Sequence, residues 1–156
     1  MTEPSRARQR YGVCVPGDAG VADDGFGEVL YYFDWWDCPR FGVARVDGEP
    51  MMFDSPFDED LDDYAAEFLL WSAPDEEIAE GLAVWRAFTA WRERFDSGKR
   101  PLRPFEATRA GRLHQQRSRS EPPSTARRAI PEWRLDPDRS FVGRVPKHRV
   151  RWQFVD

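Results

Sequence analysis

Four side chains of this sequence are suited to zinc binding or nucleophilic catalysis, namely Cys14, Cys38, His114 and His148. Zinc sites usually draw their ligands in closely spaced pairs, and no two of these residues are spaced in that way. A catalytic cysteine–histidine pair would take its base from a Ser-, Pro- and Arg-rich region, which is poorly suited to precise geometry. The sequence therefore favours two buried thiols and two exposed histidines. It predicts no catalytic residue, no metal site and no cofactor.

The carboxylates of the acidic segment 58–63 resemble a cation site only in part. Asp58, Asp60 and Asp62 match positions 1, 3 and 5 of a calcium-binding loop, but the glycine at position 6 and the glutamate at position 12 are absent. A hard-cation site that uses Asp54 with Asp58 and Asp60 stays open as an alternative, because such ions prefer oxygen ligands. The simpler interpretation is a solvated acidic loop or an acidic face for a basic partner.

The segment YYFDWWD (31–37) combines aromatic rings with carboxylates. Strand alternation would place one set of its side chains in a core and the other set on a surface. Tyr and Trp are enriched among residues that dominate binding energy, unless a helix covers that second face. The sequence thus predicts partner-binding residues Tyr32, Asp34, Trp36 and Asp37, together with Asp58, Asp60 and Asp62.

Charge is divided unevenly along the chain. Residues 11–96 carry 21 acidic and 5 basic residues, whereas residues 97–156 carry 15 basic and 6 acidic ones. Basic arms neutralise nucleic-acid phosphates without reading sequence, but the same arm could equally lie on an acidic partner or on its own acidic body. The residues predicted for binding nucleic acid or an acidic partner are Arg109, Arg112, Arg117, Arg119, Arg127, Arg128, Arg149 and Arg151.

Several protein classes are disfavoured by absent motifs. The Gly-rich segment 17–27 lacks the Gly-Lys-Ser/Thr of a phosphate-binding loop, and no Gly-x-Ser-x-Gly nucleophile motif occurs. No apolar run approaches the roughly 18 residues that span a bilayer, and the N-terminal MTEPSRARQR is too polar for a signal peptide. A cytoplasmic protein that does not contact a membrane is expected.

Strand-like patterns fill the first half of the chain. Aromatic and β-branched residues predict strands near 28–36, 41–46 and 49–54. The Asp47-Gly48 pair between the last two predicts a tight hairpin, because a type I′ turn needs positive φ at both central residues. The segment 64–71 suits a strand or a helix, and a strand is favoured.

One helix and one terminal strand complete the pattern. Apolar residues recur at three- and four-residue steps over 73–96, which predicts an amphipathic helix that ends at Ser97-Gly98. Residues 149–155 alternate cleanly between apolar and polar side chains, as expected for a strand with one buried face.

These elements predict an α+β fold: a small antiparallel sheet with one long amphipathic helix packed on it, plus an extended basic C-terminal arm that ends in a strand. The expected organisation is an acidic body over 1–98, a basic linker that is flexible when free over 99–129, and a C-terminal segment over 130–156. The final strand is expected to pack on the body or on a partner.

The function favoured by the sequence is a non-enzymatic protein-interaction module. It would be an accessory subunit, inhibitor or immunity-type protein of a bacterial complex, with another protein as its partner. One alternative is a nucleic-acid-binding accessory protein that contacts RNA or DNA through the basic arm. A second is a small enzyme with a carboxylate or Cys–His site.

Overall fold

The computed structural model describes residues 25–99, 103–116, 121–140 and 146–155. Within these residues the chain forms eight strands, two α-helices and one turn of 3₁₀-helix at Phe105–Ala107. The strands are β1 (Gly27–Trp36), β2 (Cys38–Val46), β3 (Glu49–Asp54), β4 (Phe57–Asp58), β5 (Asp63–Tyr64), β6 (Phe68–Trp71), β7 (Arg127–Ser140) and β8 (Pro146–Phe154). The helices are α1 (Asp75–Asp96) and α2 (Arg109–Gln116).

Six strands form a closed antiparallel barrel in the order β1-β2-β3-β6-β7-β8. Strands β1 and β8 close the barrel through the pairs Gly27–Val150 and Glu28–Arg149. Strands β4 and β5 form a separate two-stranded hairpin. The predicted α+β fold, a small antiparallel sheet with one long helix and an extended C-terminal arm, is therefore wrong, because the C-terminal residues supply two full strands of the barrel.

The reason for this error lies in β7 and β8. Their buried residues include Ala129, Trp133 and Val150, whereas Arg128, Arg149 and Arg151 are exposed. A strand with charged residues on its solvent face has few apolar residues overall, so β7 resembles a solvated arm. Pairing with β6 along one edge and with β8 along the other gives its backbone the hydrogen bonds that an arm would leave to water.

The hairpin predicted at Asp47-Gly48 is confirmed. Strands β2 and β3 pair in register from Val46–Glu49 outward. Asp47 and Gly48 have φ of 51° and 83°, as the type I′ turn requires. This turn fixes which residues of the two strands face each other.

The predicted helix also forms, as α1, and begins two residues later than expected. Pro74 occupies the position before its first residue, and three acids fill its first turn, where they complement the helix dipole. Helix α2 was not predicted, although the Thr108 hydroxyl caps it by accepting a hydrogen bond from the Gly111 N–H (3.1 Å). Among the described residues, no helix combines the length and apolar character needed to span a membrane.

The core is one cluster of buried residues that extends over both faces of the sheet. Inside the barrel, the rings of Phe53 and Phe68 lie 5.7 and 6.0 Å from Trp133, which in turn contacts Trp152 at 5.8 Å. On the other face, Tyr31 pairs with Val43 of β2. Helix α1 packs onto this second face, where its buried Gly81 lies against the Tyr31 ring.

Replacing Gly81 by Ala should destabilise the fold, although Ala is favoured over Gly in helices by about 1 kcal/mol. A Cβ at position 81 would overlap the Cζ and Oη atoms of Tyr31, and that side chain is fully buried and cannot withdraw. We expect the free energy of unfolding to fall by about 1–3 kcal/mol in urea titrations. The cost should shrink in a Tyr31→Val background. A stabilised Gly81→Ala variant would contradict this packing.

Candidate interaction surfaces

The short strands β4 and β5 build a hairpin, residues 57–64, that we call the acidic hairpin. Phe57 pairs with Tyr64, and their rings meet edge to face at 5.3 Å. The hairpin is anchored at its base, where the Ala65 N–H donates to the Pro56 carbonyl (2.8 Å). These contacts hold the hairpin as a defined structure beside the barrel.

A buried arginine stabilises the base of the acidic hairpin. The Arg40 guanidinium donates a hydrogen bond to the Ser55 hydroxyl (3.2 Å) and lies over the Tyr64 ring at 4.9 Å. The Ser55 hydroxyl in turn donates to the Ala65 carbonyl (3.1 Å). The hairpin is thereby connected to β2 of the barrel and is expected to keep its shape when a partner binds.

The turn of the hairpin uses one of the predicted carboxylates for its own structure. Asp58 accepts hydrogen bonds from the backbone N–H groups of Asp60 (3.0 Å) and Leu61 (3.3 Å). Asp60 and Asp62 are exposed, and Asp62 has φ of 49°. Across the described residues, no three His, Cys, Asp or Glu side chains are placed to hold a metal ion.

Two apolar side chains of the acidic hairpin point into solvent. Leu61 is 70% exposed and Phe57 is 51% exposed. They lie within residues 54–67, which contain seven acidic residues and no basic residue. The sequence analysis selected the aspartates of this segment but did not select Phe57 and Leu61. Their only signal in the sequence is that each is a single apolar residue among acidic ones.

The aromatic–acidic segment of β1 is placed differently from the acidic hairpin. Tyr32 is buried, with its ring 4.7 Å from Trp85 of α1 and 5.4 Å from His148 of β8. Burial also raises the pKa of the Tyr32 hydroxyl above its usual range. Tyr32 is therefore enclosed between α1 and β8 and is not part of a free surface.

The end of β1 departs from simple alternation. Asp34 and Asp37 are exposed and have φ of 55° and 62°, a left-handed conformation that aspartate tolerates. Trp36 ends β1 and pairs with Cys38 through the backbone, while the position of its side chain lies outside the described part of the chain. Asp34 and Asp37 therefore depart from the regular alternation of a strand face.

The predicted basic residues of β7 and β8 contact the protein itself. Two form ion pairs with glutamates, one lies over an aromatic ring and one donates to a backbone carbonyl. These contacts are Arg127 over Phe154 (3.6 Å), Arg128 with Glu67 (3.5 Å), Arg149 with the Phe26 carbonyl (3.0 Å) and Arg151 with Glu132 (2.6 Å). Their positive charge is thus partly matched within the barrel.

The remaining predicted basic residues lie on or beyond α2. Arg112 donates a hydrogen bond to the Ala107 carbonyl (3.2 Å), while Arg109 is exposed at the first position of the helix. Arg117 and Arg119 lie outside the described residues. The eight arginines predicted as one arm therefore belong to at least two separate elements.

The structure describes three of the four candidate metal and catalytic residues, and they lie on three different elements. Cys38 is buried at the start of β2, and Cys14 lies outside the described residues. His114 is half-buried on α2, with its ring 4.3 Å from Phe33. His148 is fully buried, so the expectation that it is exposed is wrong. Its place inside the barrel follows from alternation along β8, which puts it on the same face as Val150.

Burial of His148 has an electrostatic consequence. The rings of Tyr32 and Trp133 lie 5.4 and 6.2 Å from the imidazole, and removal from water lowers its pKa to about 4. The imidazole is therefore neutral at physiological pH.

Comparison of the chain with known protein families, with curated proteins and with solved structures finds no match.

Proposed function

We propose that this chain is a cytoplasmic, non-enzymatic protein-interaction module that binds a basic protein surface through the acidic hairpin. The observation that carries the proposal is the exposure of Phe57 and Leu61 (51% and 70%) on one small hairpin. Interfaces commonly combine a few apolar anchors with a polar rim that excludes water around them. The carboxylates of the hairpin supply such a rim.

Charge complementarity specifies the partner. With seven acidic residues and no basic residue over 54–67, the hairpin would repel an acidic surface and attract one rich in Lys and Arg. The partner should also offer an apolar depression that accepts the Phe57 ring and the Leu61 side chain. An accessory subunit, an inhibitor or an immunity-type protein of a larger complex would bind in this manner.

The rigidity of the hairpin supports the same proposal. Its base is held by the Arg40–Ser55 hydrogen bond and by the Arg40 contact with Tyr64. A surface that is ordered before binding loses less conformational entropy on association, which increases affinity for a given contact area. Asp60 and Asp62 then contribute mainly to the rate of association.

The basic residues of β7 and β8 contact the protein itself, which does not support nucleic-acid binding by a C-terminal arm. The pairs Arg128–Glu67 and Arg151–Glu132 support the alternative in which these bases lie on the protein's own acidic body. Contacts between β7, β8 and the rest of the barrel therefore account for these residues without an external ligand.

Changing both apolar residues of the hairpin to serine should weaken partner binding at least tenfold. Tagged wild-type protein, the Phe57→Ser/Leu61→Ser variant and a Leu135→Ser control are each used to capture proteins from a lysate of the source cells. Leu135 is also an exposed leucine (37%) but lies on β7. The captured protein is then purified, and its Kd for each variant is measured by calorimetry at low and high salt.

The expected partner binds the wild type and the Leu135 control equally well, and its affinity for both falls as salt rises. A purified partner that binds the double variant as tightly as the wild type would refute the hairpin surface. Absence of any protein whose capture depends on Phe57 and Leu61 would do the same. Matching circular dichroism spectra establish that all three proteins are folded.

A further inference from the structure

A second candidate surface lies at the C-terminal end of α1. It combines aromatic rings with basic residues, whereas the hairpin is acidic. Three of its rings form a parallel stack, which we call the helix-end stack: Phe88 and Trp91 at 6.3 Å and 20°, and Trp91 and Phe95 at 5.5 Å and 17°. Phe95 ends the stack and is 49% exposed. A further planar group placed on Phe95 would continue it.

The stack is held in place from the side. The Trp91 indole N–H donates a hydrogen bond to the Arg103 carbonyl (3.1 Å), and the Phe105 ring packs against Phe88 at 5.3 Å and Trp91 at 6.1 Å. These contacts fix the orientation of Trp91 and bring the segment that begins at Arg103 beside the end of α1. Phe95 is therefore presented on an ordered base.

The basic residues around the helix-end stack differ from those of the barrel. Arg92 pairs with Asp96 (3.3 Å) and lies over the Phe95 ring at 5.6 Å. Four further bases are exposed and have no hydrogen bond or ion pair from their side chains to any described residue, namely Arg94, Lys99, Arg103 and Arg109. Over residues 91–99 and 103–109 the chain carries five basic and three acidic residues.

The helix dipole explains only one of these bases. Arg94 lies in the last turn of α1, where a cation stabilises the negative end of the helix. Lys99 and Arg103 lie beyond that turn, and their exposed charges serve no contact within the described residues. Proteins that bind single strands combine exposed aromatic rings, on which nucleobases stack, with basic side chains that are available to contact phosphates.

We infer that the helix-end stack binds single-stranded nucleic acid, with a base stacked on Phe95 and backbone phosphates at Arg94, Lys99 and Arg103. The acidic N-terminus of α1 does not prevent this. Helix geometry places Asp75 about 30 Å from Phe95, which exceeds three Debye lengths of about 8 Å at physiological ionic strength. The inference is independent of the proposed hairpin function, because the two surfaces share no residue.

Replacing Phe95 by Ala should lower affinity for an oligonucleotide about tenfold, within the range measured for loss of one stacked base. Binding is measured by fluorescence anisotropy with labelled oligo-dT and oligo-U of about 12 nucleotides. Phe57→Ala is the matched control, because Phe57 is similarly exposed (51%) but lies on the acidic hairpin. This control should bind like the wild type. Phe95→Leu, which keeps an apolar side chain without a ring, should behave like Phe95→Ala.

The charged residues are tested through salt dependence. Lys99→Ala and Arg103→Ala should each reduce the slope of log affinity against log salt by about 0.7, as expected for one lost phosphate contact with a single strand. Arg128→Ala should leave the slope unchanged, because that side chain pairs with Glu67. Unaltered circular dichroism spectra show that the variants remain folded.

Three outcomes would overturn the inference. The first is absence of wild-type binding at about 50 mM salt, where phosphate contacts are strong. The second is binding that Phe95→Ala and Phe95→Leu both leave unchanged. The third is equally tight, Phe95-dependent binding of poly-glutamate, which would assign the surface to an acidic protein. Each of these three outcomes would leave the hairpin proposal unaffected, because that proposal depends on Phe57 and Leu61.

Discussion

Replacing Trp133 by Ala should lower the free energy of unfolding by about 3–5 kcal/mol, the usual cost of deleting a large buried ring. Trp133 is 1% exposed. Its indole ring lies within 6.2 Å of the rings of Phe53, Phe68, Trp152 and His148, which come from three other strands. Loss of this ring removes contacts that connect β7 to β3, β6 and β8 at once. Urea denaturation followed by circular dichroism measures the effect.

The same substitution distinguishes a closed barrel from an acidic body with an appended arm. In an arm, Trp133 would lie outside the main core, and its loss would leave the stability of that core unchanged. Leu135→Ala provides the control, because Leu135 lies two residues further along β7 and is 37% exposed. Its replacement should cost less than about 1 kcal/mol. Equal, small effects at both positions would refute the closed barrel.

Acidification from pH 6.5 to pH 4 should remove about 3 kcal/mol of stability through His148 alone. The unfolded chain takes up a proton at the ordinary histidine pKa of about 6.5, whereas burial lowers the pKa of folded His148 to about 4. Between these values the unfolded state binds more protons than the folded state, so stability falls as pH falls. Above about pH 6.5 both states are neutral at this position and the contribution of His148 is constant.

Two other ionisable residues lie beside His148: Tyr32 faces its ring, and Lys147 precedes it in the chain. Tyr32 faces the imidazole and stays neutral, because burial raises the pKa of its hydroxyl. Lys147, which precedes His148 on β8, forms an ion pair with Glu28 at 3.0 Å, and both residues are half-buried. We therefore assign to His148 the part of the slope of stability against pH that its replacement removes.

Two variants test that assignment. Urea midpoints are measured at several pH values for wild type, for His148→Phe and for His114→Asn. His148→Phe keeps an aromatic ring in the barrel and should lose most of the slope between pH 4 and 6.5. His114 is half-buried on α2, and its replacement should retain the slope. A His148→Phe protein with the wild-type slope would show that another group titrates there.

Local features of the fold were predictable because neighbouring residues decide them. The turn at Asp47-Gly48 depends on backbone conformations that Asp and Gly tolerate, so two residues suffice to identify the hairpin. The helix Asp75–Asp96 follows from apolar spacing and an acidic first turn. Each of these signals acts over a few residues.

The candidate surfaces were predictable only in part. The acidic character of the segment around Asp58 and Asp60 is visible in the composition, but the exposure of Leu61 depends on how the hairpin turns away from the barrel. Tyr32 was assigned to a surface because strand alternation says which side chains share a face and does not say what covers that face. The Tyr32 ring contacts both Trp85 of α1 and His148 of β8.

The sequence alone determined the division of the chain into an acidic and a basic part, the β2–β3 hairpin and the helix α1. All three depend on residues that are close together in the chain. Only the tertiary structure decided that β7 and β8 belong to the same sheet as β1, that His148 is buried, and which arginines are matched by acids. The physical reason is that closure depends on pairs such as Gly27–Val150, whose members are distant in sequence. No local pattern of hydrophobicity or charge specifies such a pair.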